Sequence, residues 1–244
     1  MTAQSQLISV KVLRGAIKRK VDPLLVRQKK DKSIALVAQD GEILKRLFDI
    51  AFSSVVLVIG SPLYLLLAIL IKISSPGPIF YIQERIGKNY KAFRCIKFRT
   101  MVKNADALME RLLLEYPELE QEYQENFKLK EDPRVTPIGK FLRYTSLDEL
   151  PQFWNVLKGD MSVVGPRPLV PEELYKYGRH IGKILTIRPG ITGLWQVSGR
   201  NDIPYERRVN MDVYYVNFRN WLLDLWVIIK TIGVMLLPQD NGGY

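Results

Sequence analysis

From Ile50 to Ile71 the chain runs 22 residues without a charge, about the length a helix needs to reach across a bilayer core. Ser61-Pro62 stands at the middle of that run. A proline there removes a helix hydrogen bond and clashes with the preceding turn, so a bend is expected. Lys45-Arg46 precede the run and Lys72 follows it. Positive charge on both flanks gives none of the bias that orients a simple spanning helix. A bent segment that dips into one leaflet and returns satisfies both observations, with Ser61 and Pro62 as its break. A buried core helix is the competing reading.

Around this segment the chain is basic, with a formal charge of +11 and a pI near 9.6. That balance favours anionic partners: nucleic acid, anionic lipid or phosphorylated substrates. Inventory removes much other chemistry. One histidine, His180, and one cysteine, Cys95, leave no zinc-ligand set and no internal disulfide. The first forty or so residues are polar and basic, without a cleavable apolar core.

Four regions follow: a basic, weakly structured leader over 1–42, the bent membrane segment over 43–74, a larger domain over 75–237, and a tail over 238–244. Pro76-Gly77-Pro78 stops the membrane helix. Ile79-Phe80-Tyr81-Ile82 and Phe93 to Phe98 flank Gly87-Lys88-Asn89 and read as a β-hairpin. Residues 105–130, rich in Glu and Leu, predict one or two exposed helices interrupted at Pro117. Ser146 and Glu149 have capping-box spacing for a helix reaching about Leu157, with Leu147, Leu150, Trp154 and Leu157 as its apolar stripe. The apolar stretch Trp221 to Leu237 predicts an interfacial amphipathic helix, or a core helix.

Chemistry centres on Asp148-Glu149. Near a helix start, orphan N–H groups favour a carboxylate and equally a phosphate brought to it. An ionised aspartate can attack phosphorus and split one transfer into two. Helix capping alone would also explain the pair. Arg143, Arg167, Arg188 and Arg200 lie beside turn signals, and guanidinium groups grip phosphate oxygens through paired hydrogen bonds. Lys97 and Arg99, at the hairpin's end, join them as candidate phosphate ligands. Mg²⁺ would be held by Asp148 or Glu149 together with phosphate oxygens.

Several ordered passages resemble the bacterial sugar transferases, the monotopic polyprenyl-phosphate phosphoglycosyl transferases. They include Lys45-Arg46-Leu47-Phe48-Asp49, Ser61-Pro62, Lys97-Phe98-Arg99-Thr100-Met101, Arg143 through Gln152, and Asn155 through Pro168. Arg188-Pro189-Gly190-Ile191-Thr192-Gly193 through Arg200 and Asp212-Val213-Tyr214-Tyr215-Val216 complete the series. The resemblance covers about residues 43–237. It implies transfer of a sugar 1-phosphate from a UDP-sugar to undecaprenyl phosphate with release of UMP. Asp148 would be the nucleophile, and Glu149 would position Mg²⁺ or assist proton removal. Arg143, Arg167 and Arg200 would bind phosphates, with Lys97 and Asp224 as supporting groups. Glucose or galactose is the expected sugar, from the Leu194-Trp195-Gln196 variant and the acidic insert.

The expectation is therefore a mostly helical α/β monotopic enzyme at the cytosolic face of the bacterial inner membrane, with a re-entrant helix, a small hairpin and interfacial helices. It would serve exopolysaccharide, capsule, O-antigen or glycoprotein glycan synthesis, without nucleic acid and with a homodimer possible. The competing reading is a non-enzymatic membrane-anchored module that binds anionic lipid or a glycosyltransferase.

Overall fold

The computed structural model describes residues 37–116, 118–120, 123, 129, 131–199 and 202–236. Most of the leader, the tail, Pro117 and Arg200 lie outside the described residues. Residues 1–44 form one unit, described only in the first turns of a helix; residues 45–244 form the other and carry the site.

Helices α1 (Val37–Ile59) and α2 (Ser61–Ser74) make the long apolar segment. They meet at Gly60 with a bend of 61°. Pro62 falls in the first turn of α2, where its missing N–H costs no helical bond. Neither helix alone is long and apolar enough to cross a membrane, whereas the bent pair together is. Val58, Ile59, Leu65 and Ile73 are 64–78% exposed, so the outward face is not a core helix. The inward face packs through Phe52, Val56 and Leu57 on one cluster, and through Leu67 and Ile71 on Phe98 and Leu142.

Strands β1 (Phe80–Ile86) and β2 (Ala92–Phe98) form the expected antiparallel hairpin, with Phe80 opposite Phe98 and Ile86 opposite Ala92. Helix α3 (Ala105–Glu115) begins the acidic insert. Helix α4 (Pro137–Thr145) starts at Thr136, whose hydroxyl accepts the Gly139 amide hydrogen at 3.0 Å. It ends at Ser146 in the left-handed region, φ 58°. A 3₁₀ turn, Leu147–Glu149, then leads through Pro151 into α5 (Gln152–Lys158).

The expected capping box is not formed. Ser146 closes the preceding helix and makes no side-chain cap, while Glu149 reaches a lysine distant in sequence. The apolar stripe is shifted too: Phe153 and Val156 are buried and Trp154 is 54% exposed. Pro151 separates turn from helix, so the buried face starts afresh at Gln152.

A second sheet was not legible in the sequence. Strands β3 (Ser162–Val164) and β4 (Gly190–Thr192) pair in parallel. Their backbones approach so closely that a Cβ on Gly190 would lie 2.1 Å from the Gly165 nitrogen, which is why glycine occupies the crossing. Between them lie a 3₁₀ stretch, Pro171–His180, and α6 (Ile181–Ile184). Helices α7 (Tyr205–Phe218) and α8 (Trp221–Leu236) close the unit. In α8 Val227 and Ile228 are buried in the main core, as the core-helix reading expects, while Trp221, Leu222, Ile229 and Ile232 are exposed and leave an apolar outward face.

Candidate active site

The 3₁₀ turn carries Asp148 and Glu149 inward because Leu147 and Leu150 on either side are packed against the core, Leu150 against both clusters. Opposite stands Lys97, next to last in β2. Its ammonium lies 2.6 Å from Glu149 Oε1 and 3.9 Å from Asp148 Oδ2. Arg167 Nη1 stands 3.8 Å from the same Glu149 oxygen, held there by the chain leaving β3. Arg143 reaches toward the turn from α4, its Nε anchored on Thr100 Oγ1 at 3.0 Å.

Asn155 fixes the two halves. Its side-chain oxygen accepts the Ile96 amide hydrogen at 3.0 Å and its nitrogen donates to Arg94 O at 2.7 Å. The amide imitates a neighbouring strand along β2, so α5 and the turn before it keep register with Lys97.

The two carboxylates are pushed in opposite directions. Burial, together with Glu149, raises Asp148 to about 6 against the fields of Lys97, Arg143 and Arg167. Burial acts the same way on Glu149, but Lys97 and Arg167 outweigh it and hold that carboxyl below its usual range. Glu149 is thus a fixed anion, poorly suited to accept a proton. Asp148 is a desolvated carboxylate, ionised at neutral pH and less tightly paired.

Beside Glu149 a small cleft is lined by Arg85, Lys97, Gln152, Arg167 and Gln196, among others. Arg85, Gln152 and Gln196 were not among the candidate site residues of the sequence analysis. Arg85 lies on the hairpin's first strand, and no motif residue marks it. Gln152 and Gln196 lie inside recognised passages, which was the signal available for them.

Other expected residues are engaged elsewhere. Arg99 is buried and donates to Ser75 O and Pro76 O, tying the end of β2 to the turn after α2. Arg188 donates to Gly159 O and so caps α5, as Arg46 does at Val156 O and Leu157 O. Asp224 accepts from Tyr215 Oη at 2.7 Å and pairs with Lys45 at 3.2 Å, while Lys45 also binds Asp49 at 2.7 Å. Each of these groups closes a backbone end or a buried charge, which fixes it where it is.

Among the described residues no group of three or more His, Cys, Asp or Glu side chains could hold a metal. Mg²⁺ takes one or two protein carboxylates when substrate phosphates supply further oxygens, and Asp148 and Glu149 are the adjacent carboxylates of this site.

A family model described as "Bacterial sugar transferase" matches residues 41–238. The chain belongs to that family. It is 47% identical over 211 residues to the undecaprenyl-phosphate galactose phosphotransferase of Salmonella typhimurium, covering 86% of this chain and 43% of that protein. It is 45% identical to the UDP-galactose-lipid carrier transferase of Erwinia amylovora, again over 86% of this chain and 43% of that protein. It is 46% identical over 201 residues to the exopolysaccharide production protein ExoY of Sinorhizobium fredii, covering 82% and 89%. The chain thus spans less than half the length of the first two relatives and most of the third.

Proposed function

We propose that this sugar transferase moves a hexose 1-phosphate from a UDP-sugar to undecaprenyl phosphate, releasing UMP, as a first membrane step of exopolysaccharide or related glycan synthesis. The observation that carries this reading is the asymmetry of the pair: Lys97 is committed to Glu149, leaving Asp148 buried, raised in pKa and faced by cations. An Asp148 oxygen attacks the phosphorus that bears the sugar. The bond from that phosphorus to the bridging oxygen breaks, and UMP leaves. An oxygen of the lipid phosphate then attacks the same phosphorus and displaces Asp148 as a free carboxylate. No proton need be taken up at Glu149, in keeping with its clamped charge.

Arg143 and Arg167 are placed to hold phosphate oxygens, with Arg85 and Lys97 adding positive field around them. Arg200 is proposed for the same role from the family resemblance alone. Mg²⁺, held by Glu149, Asp148 and diphosphate oxygens, would supply further charge neutralisation when bound. Galactose is the favoured sugar, because the Salmonella and Erwinia relatives carry it in their names.

The bent pair α1–α2 is proposed to be re-entrant at the inner membrane, with the catalytic unit on the cytosolic side. Both of its ends are fastened to the same body: Lys45 and Arg46 to α8 and α5, Ile71 to Phe98 and Leu142. A helix that crossed the bilayer would carry one end away. The outward apolar faces of α1, α2 and α8 supply the surface for lipid contact.

The test is intact-protein mass spectrometry after incubating the detergent-solubilised chain with Mg²⁺ and UDP-galactose, without lipid acceptor. A hexose-phosphate adduct on Asp148 with matching UMP release is expected. No adduct and no turnover with any of a panel of UDP-sugars plus polyprenyl phosphate would overturn the reading.

A further inference from the structure

We propose that Tyr64, on the limb α2 of the bent pair, is a positioning residue for the transfer step, through which the break at Gly60 sets the geometry of the Asp148 turn. This rests on the reading of Asp148 as nucleophile given above.

Two contacts of Tyr64 define the role. Its hydroxyl donates to Leu150 O at 2.7 Å, the carbonyl immediately after Glu149. Its ring lies 5.8 Å from that of Phe98, the residue immediately after Lys97. One side chain therefore touches the neighbour of each member of the Lys97–Glu149 pair.

The turn itself is weakly closed. Ser146 N donates to Arg143 O at 3.2 Å, Glu149 N to Ser146 O at 3.3 Å and Leu150 N to Leu147 O at 3.3 Å, all at or beyond the long end of good N–H···O geometry. The Tyr64 bond, at the usual distance for O–H···O, is the shortest of these ties. A turn with long internal bonds takes its position from outside, and Tyr64 supplies an external bond at its C-terminal end.

The break is coupled to the same ring. A Cβ on Gly60 would lie 2.5 Å from Val56 O and 3.1 Å from Tyr64 Cε2, so the bend and the ring share one space. A change in the angle between α1 and α2 must move Tyr64, and Tyr64 cannot move without pulling on Leu150. The helix break thus has a role in the chemical step as well as in seating the chain in lipid.

The variant Tyr64→Phe removes the hydroxyl and keeps the ring on Phe98. In the full chain, the rate of adduct formation on Asp148 should fall roughly 10- to 100-fold, as expected for a small misplacement of a reacting group. The UDP-galactose concentration giving half-maximal rate should change less than about threefold, because Tyr64 is not among the residues proposed to hold the donor's phosphates. Hydrogen exchange should quicken at the amides of Glu149 and Leu150 and stay unchanged in α7. Unchanged exchange at the turn, or an unchanged adduct rate, would overturn the proposal. If the wild-type chain forms no adduct with any UDP-sugar, the function reading fails by itself. The exchange comparison then still decides whether Tyr64 holds the turn.

Discussion

Lys97 stands 2.6 Å from Glu149 but 3.9 Å from Asp148, so the lysine neutralises Glu149 more closely than it does the proposed nucleophile. Pairing Glu149 prevents two adjacent buried carboxylates from forcing a proton onto each other, which would silence the nucleophile. Lys97→Met should lower adduct formation on the order of 100-fold, the scale found when one preorganised charge partner is removed from an active site. The remaining activity should need a higher pH, because a lost cation raises both carboxyl groups. Initial rates of UMP release in wild type and variant measure both effects.

The pH dependence of the wild-type chain follows from Asp148. Burial raises its carboxyl to about 6, and in the proposed mechanism only the ionised form attacks phosphorus. Adduct formation should therefore be low near pH 5, half-developed around pH 6 and level above about pH 7. A rate independent of pH across that interval would exclude a buried Asp148 as the titrating nucleophile.

Asn155 should matter to stability before it matters to chemistry. Asn155 is fully buried, and Asn155→Ala takes the partner from the part-buried Ile96 amide and Arg94 carbonyl, a loss of about 1–3 kcal/mol. Asn155→Asp keeps the acceptor and loses the donor at neutral pH. Protonation restores an O–H that can reach Arg94 O, so its deficit should shrink as pH falls. Denaturant titrations in detergent at two pH values give the comparison.

At the base of α1, Lys45 serves both Asp49 and Asp224. Lys45→Met would leave two buried carboxylates without their shared cation, a loss of about 3–5 kcal/mol. Asp224→Asn should cost about 1 kcal/mol or less, because burial already favours the neutral form of this carboxyl and the amide can still accept from Tyr215. Thermal unfolding of the two variants should rank them in that order, and Asp224→Asn should keep adduct formation within about threefold.

What the sequence disclosed depended on how local the determinant was. The break at Gly60-Ser61-Pro62, the hairpin around Gly87 and the Asp148-Glu149 pair are written in neighbouring residues, and the structure has each of them. The capping box failed because Glu149 answers to Lys97, a partner 52 positions away. The pairing of β3 with β4 was invisible because strands of three residues carry no period to read. Arg99 and Arg188 looked like phosphate ligands because an arginine near a turn has the same appearance whether it binds an anion or a stray carbonyl. Only Arg143 and Arg167 of the described arginine candidates lie among the groups whose charge is felt at Asp148.

Arg46 on α1 grips the far end of α5 through Val156 O and Leu157 O, and Tyr64 on α2 grips its near end through Leu150 O. The apolar helix pair is therefore a clasp around α5 and the turn that leads into it, and cannot be treated as a detachable anchor. Trimming the chain to its polar part for a soluble enzyme would unfasten both ends at once. A water-soluble version would instead have to keep α1 and α2 in place and recolour only their outward faces, from Val58 and Ile59 to Leu65 and Ile73.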